Sequence, residues 1–257
     1  MNLLALQEDV LYGPIYSRRL GRSLGINLMP NHYKLCSFNC VYCHYGPTEV
    51  HTSSVGRYVK DIPDFDDVVN ALKNKLISEE QFDYITFSGN GEPTLYPDFA
   101  QLVTELARLR DKYRPGLKIA LLSNSSGLGN EAVRQSIVHI DLPVFKLDAG
   151  RAGTFAAVNR PVSGVAFDEI CERLGSLHGI CIQTLLVHGT PRNTERHQLE
   201  SYFEKIREIN PRTVHIYSID RPVPSAKLIR VQSDELERIA RWGRSVTGVN
   251  FKAFYMT

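Results

Sequence analysis

Short runs rich in β-branched and apolar residues alternate along most of the chain with longer stretches whose apolar residues recur every three or four positions. The short runs predict strands over residues 25–29, 84–88, 118–123, 144–148, 180–187 and 213–219. The longer ones predict helices over 65–78, 99–112, 131–138, 167–178, 195–209 and 234–245. Asp98, Asn130, Thr194 and Ser233 stand where an N-cap would satisfy orphan amides. Strands that are each followed by a helix pair in parallel through right-handed crossovers, so the pattern predicts an α/β fold, a complete or partial barrel. No repeat, low-complexity tract or Pro/Gly/Ser-rich linker interrupts it, which predicts a single domain with a core over about residues 24–222, a lead-in over 1–23 and a helical extension over 223–257. The unusual residue clusters fall just after the strands, on the face where parallel barrels assemble their sites.

Composition narrows the class. The chain has 257 residues, 43% apolar and 23% charged, as an ordinary globular protein does. Its net charge of +2 comes from 30 basic and 28 acidic residues, which excludes the global basic field of a non-specific nucleic-acid binder. No apolar run approaches the ~20 residues that cross a bilayer. Residues 1–10 lack a basic segment followed by an apolar stretch, so the expected location is cytoplasmic. Three of the five cysteines crowd into eight positions, a metal pattern suited to a reducing compartment.

Cys36-x-x-x-Cys40-x-x-Cys43 puts three thiols in one loop. A structural zinc site closes with four ligands and a ferredoxin cubane takes four cysteines, yet no fourth cysteine is near. Three thiolates would leave one iron of a [4Fe–4S] cluster open to the amino and carboxylate groups of S-adenosylmethionine. The competing readings are a zinc site completed by His32, His44 or His51, and cysteines that are merely buried.

With Tyr42 before the third cysteine, this spacing resembles the signature of the radical S-adenosylmethionine superfamily. The resemblance continues in Ser88-Gly89-Asn90-Gly91-Glu92-Pro93-Thr94, similar to the Gly-Gly-Glu-Pro element of that superfamily, with Asn90 in place of its first glycine. It implies a partial (β/α)6 barrel of parallel strands with outer helices, and oxidoreductase chemistry on a [4Fe–4S] cluster held by Cys36, Cys40 and Cys43. It also implies S-adenosylmethionine as second cofactor, cleaved reductively to a 5′-deoxyadenosyl radical, and a reductant such as flavodoxin or ferredoxin. Carried over residue by residue, Tyr42 packs near the adenine, and Gly89, Asn90, Gly91 and Glu92 receive the cofactor ammonium. Ser123 and Asn124 bond the methionine carboxylate or ribose, Asp148 and Gln183 the ribose hydroxyls, and residues 187–189, beginning at Val187, offer backbone to adenine.

One inference is independent of family. In a strand, Lys146 and Asp148 share one face and Phe145 and Leu147 the other, so the charged pair faces the interior if the apolar pair meets the helices. Burying opposite charges is costly unless they pair with each other or with a ligand. Arg18, Arg19, Arg22, Arg151, Arg160, Arg192 and Arg221 could form a cationic mouth, suited to a small anionic substrate or a tRNA loop. Lys146, Asp148, Arg160 and Arg221 are therefore the candidate catalytic residues. Tyr12-Gly13-Pro14-Ile15-Tyr16-Ser17-Arg18-Arg19-Leu20-Gly21 and Val158-Asn159-Arg160-Pro161 make the chain similar to the wyosine-synthase-like branch. Wyosine synthases carry further cysteines for a second cluster, whereas residues 1–35 here contain none, so the tricyclic-base reaction is not carried over. A glycyl-radical-enzyme activase and a tRNA-base-modifying enzyme are the alternative enzymes, and an iron–sulfur electron carrier or a zinc-stabilised RNA-binding protein the alternatives of another class.

Overall fold

The computed structural model describes residues 3–255. Contacts between backbone positions gather them into two compact units, one built from residues 6–37 and 49–143, the other from 38–48 and 144–255 with the first few residues.

In the first unit, β1 (Leu11–Ser17) runs antiparallel to β2 (Gly21–Asn27), with the register broken between Tyr12 and Ile15. A short parallel pair follows, β3 (Leu35–Cys36) and β4 (Val50–His51). Then come α1 (Phe65–Ile77), β5 (Tyr84–Ser88), α2 (Phe99–Tyr113), β6 (Lys118–Ser123) and α3 (Glu131–Ser136). The strands stand in the order β1-β2-β5-β6, and β2, β5 and β6 are parallel. Helix α2 shows why the pattern was readable: Phe99, Leu102, Val103, Leu106 and Ala107 recur at helical spacing and all are buried.

The second unit takes in all but the first two residues of β7 (Leu142–Lys146), followed by α4 (Ala152–Asn159), α5 (Phe167–Gly175) and β8 (Cys181–Leu185). It continues with β9 (Val187–Gly189), α6 (Arg196–Ile209), β10 (Thr213–Tyr217), β11 (Leu228–Arg230), α7 (Ser233–Thr247) and β12 (Phe251–Phe254). Its strands stand in the order β7-β8-β10-β12, all parallel, while β9 and β11 pair separately and antiparallel. Leu236, Ile239, Ala240 and Gly243 form the buried stripe of α7, and a Cβ on Gly243 would come within 2.8 Å of the Phe251 ring, so this glycine lets the helix lie on β12.

The fold is of the α/β class, with the parallel strand–helix units of which a partial (β/α)6 barrel is made. The expected lead-in contains β1, and the expected helical extension carries β11 and β12 as well as α7. The expected strand over 180–187 breaks at Leu186, whose N–H turns to the Tyr217 carbonyl, and Val187 begins a pairing with Arg230. Strand β7 begins and ends two residues earlier than expected, so Asp148 lies just past its end. Helix α4 was not foreseen because AGTFAAVN has no amphipathic period. Asn130 caps α3 through its side chain, whereas α6 is capped by Glu195 in a capping box with Gln198, not by Thr194. Asp98 precedes α2 without a side-chain cap bond, and the capping position of α7 is Gln232, one residue before Ser233.

Candidate active site

In the first unit the site is built around the loop after β5. Gly89 has φ of +108°, a conformation that favours glycine, and a Cβ there would meet Asn27 Oδ1 at 2.5 Å. At Gly91 the constraint is contact: a Cβ would lie 1.7 Å from the carbonyl oxygen of Leu35, the residue before Cys36, with which Gly91 forms a parallel bridge. Gly91→Ala is accordingly expected to lower stability by about 1–3 kcal/mol through overpacking of backbone on backbone. Urea denaturation of the cluster-free protein measures it, and a loss under about 0.5 kcal/mol would mean that the loop yields freely.

Asn90, between the two glycines of this loop, is fully buried. Its Oδ1 accepts from Gln7 N–H at 2.8 Å, its Nδ2 donates to the Gln7 and Pro30 carbonyls at 2.9 Å each, and its own N–H donates to Asn27 Oδ1. Its side chain thus fixes the loop to the segments on either side of β1 and β2.

Glu92 is 1% exposed. Its Oε1 accepts from Thr94 N–H (3.1 Å), Thr94 Oγ1 (2.5 Å) and Ser123 Oγ (2.7 Å), and its Oε2 from Asn124 N–H (2.6 Å). Burial pushes its carboxyl above the ordinary glutamate range, opposed by these hydrogen bonds from Thr94, Asn124 and Ser123. Asn124 carries the chain of contacts onward: Nδ2 donates to Ser37 Oγ at 2.9 Å and reaches Cys36 Sγ at 3.5 Å, while Oδ1 accepts from Ser126 N–H. Glu92, Ser123, Asn124 and Cys36 therefore form one buried string.

The second unit holds Cys40, Tyr42 and Cys43. The segment is pinned by Asn39 N–H to the Asn159 and Arg160 carbonyls and by Val41 N–H to the Val158 carbonyl. Tyr42 packs with Val41, Val158, Leu185, Val187 and Leu228, and its hydroxyl donates to Asp148 Oδ2. Asp148 also accepts from Asn159 Nδ2 (2.6 Å, on Oδ2) and from Leu185 N–H (2.7 Å, on Oδ1), and Lys146 Nζ lies 3.6 Å from Oδ1. Lys146 further donates to Tyr217 Oη at 3.2 Å, with its ammonium 5.0 Å from the Tyr42 ring centre and 5.6 Å from that of Tyr217. Burial would lower the lysine's pKa, but Asp148, Tyr217 and Cys40 outweigh it and the net shift is upward, which keeps the ammonium. Asp148 is thus filled by protein partners. Cys40 is pushed up to about 11, chiefly by burial, against the pull of Lys146.

Gln183 is buried beside Lys146 in the β7–β8 register. Val187 is also buried, its N–H donating to Asn193 Oδ1, and residues 187–189 spend backbone groups on β11. Arg160 and Arg221 are exposed, Arg160 in the left-handed conformation that ends α4. Arg22 pairs with Asp83, Arg151 with Ser201, and Arg192 with Glu195, so these three members of the arginine set read from sequence have local partners. His44 meets the Pro222 carbonyl and Asp220, and His51 the Ser37 carbonyl. Among the described residues, no three His, Cys, Asp or Glu side chains are gathered as around a bound metal ion. Among the described residues, no helix is long and apolar enough to cross a membrane. Sequence reasoning assigned no role to Asn159, Ser37, Asn193 or Tyr217. Only the position of Asn159, before the Arg-Pro that ends a short helix, could have signalled it.

The chain is thus an α/β protein of parallel strand–helix units that bears a cysteine-rich segment and a glycine-rich loop with a buried acid. The profile of the Radical SAM superfamily matches residues 30–206, and the chain belongs to that superfamily and to the family of the UPF0026 proteins. It is 33% identical over 227 residues to the UPF0026 protein of Methanocaldococcus jannaschii (86% of this chain, 66% of the relative), and 30% identical over 233 residues to that of Helicobacter pylori strain 26695 (88% and 71%). It is also 29% identical over 242 residues to a protein named GTPase Obg from Brachyspira hyodysenteriae, covering 92% of this chain and about a third of that protein, 34%. Among solved structures, TYW1 with a lysine–pyruvate adduct superposes with a TM-score of 0.58 at 16% identity (88% of this chain, 75% of that one). Streptococcus suis SuiB bound to S-adenosylmethionine does so at 0.62 and 14% (87% and 49%). The superfamily's cofactors are a [4Fe–4S] cluster and S-adenosylmethionine.

Proposed function

We propose that the chain is a radical S-adenosylmethionine enzyme that takes hydrogen from an anionic substrate, with Cys36, Cys40 and Cys43 as the cluster ligands. The observation that carries this reading is the buried string from Glu92 through Asn124 to Cys36, which ties the glycine-rich loop to a cluster cysteine. The donor set suits the cofactors: three thiols lie within eight positions, and buried amides face the Cys36 and Cys40 sulfurs. When bound and reduced by a carrier such as flavodoxin or ferredoxin, the cluster supplies the electron that splits S-adenosylmethionine into methionine and the hydrogen-abstracting 5′-deoxyadenosyl radical. Glu92 Oε2 accepts one protein bond and keeps a lone pair for the cofactor ammonium. Gly89, Asn90, Ser123 and Gln183 complete the proposed cofactor contacts.

Asp148 acts by orienting Tyr42 and Lys146. Lys146 presents a fixed positive charge and, with Arg160 and Arg221, draws a carboxylate or phosphate. The lysine–pyruvate adduct of TYW1 is not carried over to Lys146, because at 16% identity the likeness is one of fold.

Anaerobic reconstitution with iron, sulfide and dithionite, followed by chromatography for 5′-deoxyadenosine, tests the reading. Glu92→Gln is expected to weaken S-adenosylmethionine binding about 10–100-fold, the worth of a charge-assisted hydrogen bond, with iron content unchanged. An intact cluster that never yields 5′-deoxyadenosine would sink the proposal.

A further inference from the structure

Two asparagine amides, one in each unit, face two of the three proposed cluster cysteines. Asn124 Nδ2 lies 3.5 Å from Cys36 Sγ, and Asn159 Nδ2 lies 3.6 Å from Cys40 Sγ, both within the reach of an N–H···S hydrogen bond. Both asparagines are buried. Neither amide can be turned end for end without loss. Asn124 Oδ1 is held by Ser126 N–H at 2.9 Å, and Asn159 Nδ2 is held by the Asp148 carboxylate at 2.6 Å, which accepts and cannot donate.

At Asn159 one hydrogen of Nδ2 goes to Asp148, and the other is left to Cys40 Sγ and the Tyr42 hydroxyl oxygen at 3.1 Å. The Tyr42 oxygen gives its own proton to Asp148. Among the described residues, the buried Oδ1 of Asn159 has no hydrogen-bond partner. A buried amide that forgoes one of its own bonds to keep its N–H groups on an acid and a sulfur is placed for what its donors do.

Resting on the reading above, we infer that Asn124 and Asn159 are positioning residues that set the reduction potential of the cluster by donating N–H···S hydrogen bonds to Cys36 and Cys40. Reduction adds one negative charge, which is shared with the thiolate sulfurs. A donor to sulfur stabilises the reduced state more than the oxidised one and so raises the potential. The Asp148–Tyr42 pair fixes the orientation of Asn159, and the Glu92–Asn124 backbone bond fixes that of Asn124.

The test is EPR-monitored potentiometric titration of the reconstituted, full-length protein and its variants. Asn124→Leu and Asn159→Leu, near-isosteric and without a donor, are each expected to shift the reduction equilibrium about tenfold toward the oxidised cluster, or ~59 mV for one electron. Asn159→Gln, which retains an amide, is expected to recover part of the shift. Should a leucine variant fail to fold, the unmutated protein labelled with 15N at the asparagine side-chain amide still decides. Pulsed EPR of its reduced cluster should show 15N coupling across the N–H···S contacts. A cluster whose potential is unmoved in folded leucine variants, or that shows no such coupling, overturns this inference alone. Failure of the unmutated protein to assemble any [4Fe–4S] cluster overturns it together with the function proposed above.

Discussion

Cys36→Ala, Cys40→Ala and Cys43→Ala are each expected to leave the reconstituted protein with almost no [4Fe–4S] cluster and no 5′-deoxyadenosine formation, whereas Cys171→Ala and Cys181→Ala retain both. A cluster held by only three thiolates has no spare protein ligand, so loss of one leaves it labile. The other two cysteines sit differently. Cys171 lies on the buried face of α5 with Phe167, Ile170 and Leu174, and burial pushes its thiol up to about 12. Cys181 begins β8 with no exposed surface, and burial raises its thiol as well. Both behave as small apolar residues. Iron and sulfide per chain, measured on all five variants, decide the matter; equal loss in all five would refute the assignment.

The parts of this protein that could be read from sequence are those where one physical requirement dominates. Strands β5 and β6 were predicted at their observed ends because short β-branched runs stop at glycine and asparagine. Helices α2 and α7 were found because their buried stripes keep the helical period. The elements that escaped obey no local rule: β12 exists because it pairs with β10, and α4 because Phe155 and Val158 are buried, not because AGTFAAVN favours a helix. The candidate site divides in the same way. Cysteine spacing and the glycine-rich loop were legible as motifs, and the Lys146–Asp148 pairing followed from strand alternation. That Gly91 is required by the Leu35 carbonyl, or that Asn159 reaches Cys40, depends on residues more than 50 positions apart, which no local pattern relates. Of the arginines read as a cationic mouth, Arg22, Arg151 and Arg192 have local partners that spacing does not reveal.

The same buried network predicts an asymmetry in stability. Asp148 gathers the Tyr42 hydroxyl, the Asn159 amide, the Leu185 N–H and the Lys146 ammonium, and its side chain has no exposed surface. Lys146 meets Asp148 and Tyr217, and its side chain keeps 13% exposure where that of Asp148 has none. Removing one member of a buried ion pair costs about 3–5 kcal/mol because the other charge is left uncompensated. Asp148→Ala should reach that range, since it strands three neutral donors as well as the ammonium. Lys146→Met should cost less, because the carboxylate it leaves behind is still held by three hydrogen bonds. In the double variant the penalties should fall short of their sum, since the stranded ammonium has gone with the carboxylate. Urea denaturation of the cluster-free protein, followed by circular dichroism, measures all three and needs no cofactor. If Lys146→Met proved as costly as Asp148→Ala, the lysine rather than the carboxylate would be the centre of the network, and Asp148 would lose its role in orienting Tyr42 and Asn159.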